Sequence, residues 1–166
     1  SNGVDYLPVI KIREMRQGFS EVTDKASTSI PEKYIINNGD ILFSWSGSLE
    51  IVIWKYGKGA LNQHIFKVSS EKYHKWFYYL WTKYYIEEFR HIASGKATTM
   101  GHIQRHHLSG AKVLVPSNQE LKELDKVFSP YIDKILSNNE QIHTLESLRD
   151  SLLPKLISGE LHVSTN

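Results

Sequence analysis

The chain has 166 residues and a mass of 19.2 kDa, enough for one ordinary domain with an appendage. Its 40% hydrophobic and 23% charged content excludes wholesale disorder, and no apolar run approaches the roughly 18 residues of a membrane span. Zero cysteines exclude a disulfide scaffold, thiol catalysis and cysteine-ligated zinc, and fit an intracellular protein. Ser1, Asn2 and Gly3 read as a tag remnant, and with no initiator Met behind them the chain is expected to be a piece of something longer.

The net charge of +2 divides unevenly. Residues 1–117 carry 15 Lys+Arg against 10 Asp+Glu, and residues 118–166 carry 5 against 8. The break marks a boundary near Pro116. Residues 89–119 hold no acid at all, but contain Arg90, Lys96, Arg105, Lys112 and four histidines. Such a stretch suits a polyanion partner, against the plainer reading of a solvated face.

In chain order, Leu7–Ile12 reads as a strand, followed by a polar loop from Arg13 to about Ser29. Asn37, Asn38, Gly39 and Asp40 are turn chemistry leading into a short strand, Ile41–Ser44. Ile51–Trp54 is β-branched and aromatic, and a Tyr56–Gly59 turn leads into Leu61–Val68. Residues 71–92 have helical spacing, with Tyr73, Trp76, Phe77, Leu80, Trp81 and Tyr84 on one face. Eight of the thirteen residues from Tyr73 to Tyr85 are aromatic, which invites base stacking. Their buried-face period favours a bulky helix packed on a sheet instead.

The last part carries a heptad seam. With Leu121 at position a, Phe128, Ile135, Ile142, Arg149 and Leu156 follow at a, and Leu124, Tyr131, Asn138, Leu145 and Leu152 fall at d. Nine of these eleven are apolar, so a helix over 119–157 would present a stripe that needs a partner helix. Pro130 and Pro154 predict a kink or boundary, and Ser158-Gly159 a stop. The fold class expected is α+β: a mixed-sheet domain over 4–117, then a long coiled-coil-forming helix over 118–163.

Catalytic patterns are weak. His102 and His106 lie one helical turn apart, but no acid is near to activate water and HExxH is absent. Ser46-Gly47-Ser48 lacks the flanking glycines of a nucleophile elbow, and there is no Walker A loop or dinucleotide-binding glycine pattern. Gly95–Arg105 is more suggestive. Lys96, Thr98, Thr99 and Arg105 are donors for phosphate oxygens, while Gln104 and Arg105 are types that read adenine and guanine edges.

Four segments together carry a family resemblance: GDILFSWSGS at 39–48, LNQHIFKV at 61–68, ASGKATTMGHI at 93–103 leading to VLVPSNQE at 113–120, and LESLRDSLLPKLISGEL at 145–161. Their order and spacing from about Leu7 to Val163 resemble one target-recognition domain, with its following helix, of the specificity subunit of type I restriction-modification enzymes. The resemblance implies a non-catalytic subunit of the prokaryotic cytoplasm with no cofactor of its own. S-adenosylmethionine, ATP and Mg would belong to methyltransferase and restriction partners. It further implies that the chain reads one half of a bipartite double-stranded DNA target, its helix packing antiparallel to a second one as spacer. The second recognition half would lie in the same full-length subunit, of which this would be the C-terminal half, or in a homodimer.

The residues expected to face DNA are Lys11, Arg13 and Arg16 in the first loop, Trp45, Ser46 and Ser48 in the second, and Lys96, Thr98, Thr99, Gln104 and Arg105. Asn62 and Gln63 are expected to be structural, and Asp40 a turn or cap residue. The helix-packing set is Leu121, Leu124, Phe128, Ile135, Ile142, Leu145, Leu152 and Leu156. Alternative readings are the recognition domain of a fused methyltransferase-endonuclease, a coiled-coil interaction module without DNA specificity, and, more distantly, a histidine-metal enzyme.

Overall fold

A computed structural model describes residues 5–95 and 102–161. In chain order the elements are β1 (Tyr6–Ile10), α1 (Ile12–Gln17), β2 (Lys25–Ser27), β3 (Ile35–Ile36), β4 (Ile41–Ser44), β5 (Ile51–Ile53), β6 (Gly59–Leu61), β7 (Ile65–Val68), α2 (Lys75–Ser94), α3 (Arg105–Gly110) and α4 (Asn118–Ile157). The strands form a four-stranded sheet, β2-β1-β6-β3, and a three-stranded one, β5-β4-β7. The β1–β6 pair is parallel and the others are antiparallel. The architecture is α+β, a mixed-sheet domain continued by one long helix.

β4 explains the packing. It is the central strand of its sheet, and all four of its residues are buried. Successive side chains of a strand point to opposite faces, so Leu42 joins Ile10, Met15, Ile36, Trp54 and Ile65 in one core cluster. Phe43 turns the other way, towards Ile86 and Phe89 of α2, and Ile41 meets Trp76, Phe77 and Ile132. A continuous apolar run is what a strand covered on both faces requires.

Three local expectations are corrected. The expected polar loop from Arg13 to Ser29 holds α1 and β2. α1 is too short to show a period, but it buries Met15 and the carboxylate of Glu14, which accepts from the Lys11 backbone N–H at 3.1 Å. Gly18 ends the helix at φ 78°, where a Cβ would stand 2.6 Å from the Tyr56 ring, so no other residue fits. Leu61–Val68, expected as one stretch, is broken at residues 62–64 into β6 and β7, which belong to different sheets. The expected strand Leu7–Ile12 yields its last residue to α1.

The aromatic helix packs on the sheet with Trp76, Phe77, Ile86, Phe89 and Ala93 buried. The face expected for it is only partly right: Tyr84 is 72% exposed and Leu80 is also exposed. Trp76 instead stacks on Phe128 of α4, with ring centroids 5.0 Å apart.

α4 runs for 40 residues, about 60 Å at 1.5 Å per residue. Ser117 caps it, its hydroxyl accepting from the Glu120 N–H while its own N–H donates to the Glu120 carboxylate. Pro130 and Pro154 lie inside one continuous helix, so neither is a boundary. Gly159 takes the left-handed conformation at φ 76° and closes the end. The stripe facing the domain is Leu121, Leu124, Phe128, Ile132 and Leu136, so Ile132 and Leu136 replace the heptad's Tyr131 and Ile135, which are exposed. A straight helix turns every 3.6 residues and drifts off a 3.5-residue seam. Ile142, Leu145, Leu152 and Leu156 lie beyond the domain and are exposed.

Candidate nucleic-acid interface

The best-organised exposed surface is built on Ser44 and Trp45. The Ser44 hydroxyl, fully buried, donates to the Ser48 carbonyl at 2.6 Å and accepts from the Glu50 N–H at 2.8 Å. Both bonds fix the 45–49 loop at the end of β4. The following residue, Trp45, joins three segments. Its backbone N–H donates to the His64 carbonyl and its indole N–H to the Gln63 carbonyl, each at 3.1 Å. Its carbonyl accepts from Ile103 N–H at 3.0 Å, beside a bridge between Ser46 and His102. The Trp45 ring lies among His64, Phe66 and His102, with centroids 5.4, 6.0 and 6.4 Å away. Trp45 is therefore a clasp between segments, and its indole N–H is already committed.

That clasp brings His102 and Ile103 of the acid-free stretch to the 45–48 loop. Gln104 caps α3 and Arg105 begins it, both exposed, and Arg105 forms no ion pair among the described residues. The Gln104 N–H is held by Nδ1 of His107 at 3.0 Å. Trp45 and Ser46 thus lie against His102 and Ile103, the residues just before Gln104 and Arg105 in the chain. Lys96, Thr98 and Thr99 lie outside the described residues.

The first basic group is placed differently. Lys11 pairs with Asp24, Arg13 donates to Glu14 through Nε at 2.9 Å, and Arg16 pairs with Glu50. Each cation is about half exposed yet already has an acidic neighbour, which lowers its pull on a phosphate. Burial works to raise the Glu14 pKa, but hydrogen bonds from Arg13 and from backbone N–H groups outweigh it and hold the pKa below the ordinary value. Only Arg16 reaches the loop surface, in an open groove of about 450 Å³ shared with Ser48, Glu50, Arg90 and Ser94. Arg90 approaches the same Glu50 oxygen at 3.7 Å. Lys11 and Arg13 are tied to residues 22–24 instead.

Asp40 accepts from the Asn37 N–H at 2.8 Å, as a turn residue does. The pair Asn62-Gln63 divides: the Asn62 side chain braces its turn, while Gln63 is exposed at the tip next to exposed His64. Sequence reasoning missed Ser44, Glu50 and the Gln63-His64 tip. The polar break inside an apolar stretch was the available signal for the tip; nothing in the sequence marked the partners of Glu50. Among the described residues no group of three His, Cys, Asp or Glu side chains is placed to hold a metal ion, and no helix is long and apolar enough to cross a membrane.

Comparison with known proteins agrees with the resemblance read from the four segments. The chain is 25% identical to the type I restriction enzyme MjaIX specificity subunit of Methanocaldococcus jannaschii, over 95% of this chain and 38% of that protein. It is also 25% identical to the MjaVIII specificity subunit of the same organism, over 92% of this chain and 35% of that protein. The chain thus spans well under half the length of these relatives. Residues 1–147 match the family model described as the type I restriction modification DNA specificity domain, and the chain belongs to that family.

Proposed function

We propose that the chain recognises double-stranded DNA by sequence, reading one half of a bipartite target as part of the specificity subunit of a type I restriction-modification complex. On this reading residues 4–117 make up the recognition domain and 118–163 the spacer unit, of which α4 is the helix. The chain itself carries out no bond-breaking step; methylation and cleavage, with S-adenosylmethionine, ATP and Mg, fall to methyltransferase and restriction subunits. The observation that carries the reading is the Trp45 clasp, which holds His102 and Ile103, just ahead of exposed Gln104 and Arg105, against the 45–48 loop. Side chains of those types on a rigid frame are what base reading needs, while neighbouring cations and hydroxyls position the backbone.

The exposed apolar residues of α4 from Ile142 onward favour a second long helix as partner, from a second recognition half or a second copy. On the same reading, methyltransferase subunits dock along the paired helices.

The test is selection from a randomised duplex pool at low salt, sequencing what the chain retains. Enrichment of a short asymmetric motif is expected. Retention without enrichment would reduce the surface to phosphate binding. Loss of all retention, repeated with a methyltransferase partner present, would leave a helical interaction module.

A further inference from the structure

α4 carries two apolar stripes. Leu121, Leu124, Phe128, Ile132 and Leu136 face the recognition domain. The second stripe lies off that contact: Tyr131, Ile135, Ile142, Leu145, Leu152 and Leu156 are all exposed. Two polar residues, Asn138 and Arg149, interrupt this outer seam at heptad positions d and a. The Asn138 side chain has no hydrogen-bond partner among the described residues, and Arg149 engages only its Nε, with Asp150 at 2.7 Å. The seam is a palindrome about its midpoint, between His143 and Thr144. Laid against an antiparallel copy, where a positions meet d positions, Tyr131 meets Leu156, Ile135 meets Leu152 and Ile142 meets Leu145, while Asn138 meets Arg149. Every apolar residue finds an apolar one, and the two polar residues find each other.

We propose that the occupant of the outer seam is a second copy of this chain, bound antiparallel, with its register fixed by Asn138 against Arg149 of the second copy and by the reciprocal pair. The proposal rests on the reading of α4 as a pairing helix and names its partner, direction and register. A two-fold interface must be self-complementary, and this seam is. The Asn138 side-chain oxygen accepts from the guanidinium nitrogens that Asp150 leaves open. A parallel pair would instead set Arg149 against its own copy, two like charges in a desolvated seam. Sliding the antiparallel pair by one heptad would set Asn138 against Ile142 or Leu156 and Arg149 against Tyr131 or Leu145, which strands polar groups on apolar ones. A polar seam residue gives up stability and selects register in this way. At the rim Lys134 approaches Lys155 of the second copy, where both ammonium groups are exposed and screened by water and salt.

The experiment uses sedimentation equilibrium of the wild-type chain and its variants, with thermal melts to establish that each recognition domain is folded. The wild-type chain should pass from monomer to dimer as its concentration rises. Asn138→Arg sets like charges together twice and should weaken dimerisation about 10-fold or more, whereas Asn138→Arg combined with Arg149→Asn restores the pair and should recover it. The chain contains no cysteine, so introduced thiols report the register directly. A mixture of Asn138→Cys and Arg149→Cys chains should oxidise to a covalent dimer of one of each. Neither should link to itself, because residue 138 and its own copy lie about 16 Å apart along the axis, beyond the roughly 7 Å that a disulfide spans. Self-linking of Asn138→Cys, its linking to Ile142→Cys instead, or a double exchange that fails to recover dimerisation would overturn the register. A chain that stays monomeric throughout yet binds the intact specificity subunit would overturn the second copy as occupant. One that binds neither would overturn the reading of α4 as a pairing helix, and this proposal with it.

Discussion

Trp76 of α2 donates its indole N–H to the carboxylate of Asp125 on α4 at 2.9 Å. This bond, with the Trp76–Phe128 stack beside it, fastens the root of the long helix to the recognition domain. The angle at which α4 leaves the domain would decide where a second recognition half sits relative to the first.

Removing that bond has a defined cost. Trp76→Phe keeps much of the aromatic contact but loses the donor, and Asp125→Ala loses the acceptor for Trp76 and Ser129 together. Each is expected to lower stability by about 1.5–3 kcal/mol, the range for hydrogen bonds to a charged group. Urea unfolding with matched slopes would measure it, and additivity of the two changes in a double mutant would show that the residues act separately.

The same carboxylate sets an acid limit. Hydrogen bonds from Ser129 and Trp76, then the charge of nearby His74, hold the Asp125 pKa below its ordinary value. A depressed folded-state pKa contributes stability that is present above the unfolded value of about 3.9 and is lost as pH falls through the folded one. Melts between pH 6 and pH 3 should decline below about pH 4, and more shallowly in Asp125→Asn. Parallel curves would assign the acid sensitivity to other carboxylates.

Glu50 faces Arg16 and Arg90 at once. Glu50→Gln should free Arg16 while Arg90 keeps its pair with Glu87, raising affinity for random duplex and steepening the salt dependence by about one phosphate contact. Anisotropy titrations across a salt series would read this directly. An unaltered slope would place the groove away from DNA.

Exposed Leu145 and Leu152 lie on the part of α4 beyond the domain. Leu145→Glu with Leu152→Glu should abolish pairing with a second long helix while leaving the melting temperature of the recognition domain unchanged. Sedimentation with the intact specificity subunit or with a second copy would show it. Pairing that survives both changes would assign the interface to another surface.

If α4 acts as a spacer, its length sets the gap between half-sites. Seven residues inserted after Glu140 preserve the heptad register and lengthen the rod by about 10 Å, or about 3 base pairs at 3.4 Å each. Target sites selected by the full-length subunit should widen by that amount with unchanged half-sites.

Much of the scaffold was legible because it rests on local patterns. The β4 run, the aromatic helix and α4 each carry a period or composition that one segment declares by itself. The resemblance was legible too, since four short segments in fixed order identify the family without any coordinates. α1 was not, because six residues show no period and its anchor, buried Glu14, reads as an ordinary surface acid. The break at residues 62–64 was not, because strands of two sheets joined by a short turn look like one strand.

The sequence by itself determined the β4 run, the aromatic helix, the long helix α4, the acid-free stretch and the membership of the family. Tertiary structure alone decided which polar side chains are spoken for. Lys11 and Arg16 lost their standing as open cations because Asp24 and Glu50 meet them, and the indole N–H of Trp45 is committed to the Gln63 carbonyl. Residue type is local, but the partner that occupies a donor or acceptor comes from a distant part of the chain. Only the packing of both sheets and α2 brings those partners within hydrogen-bond reach.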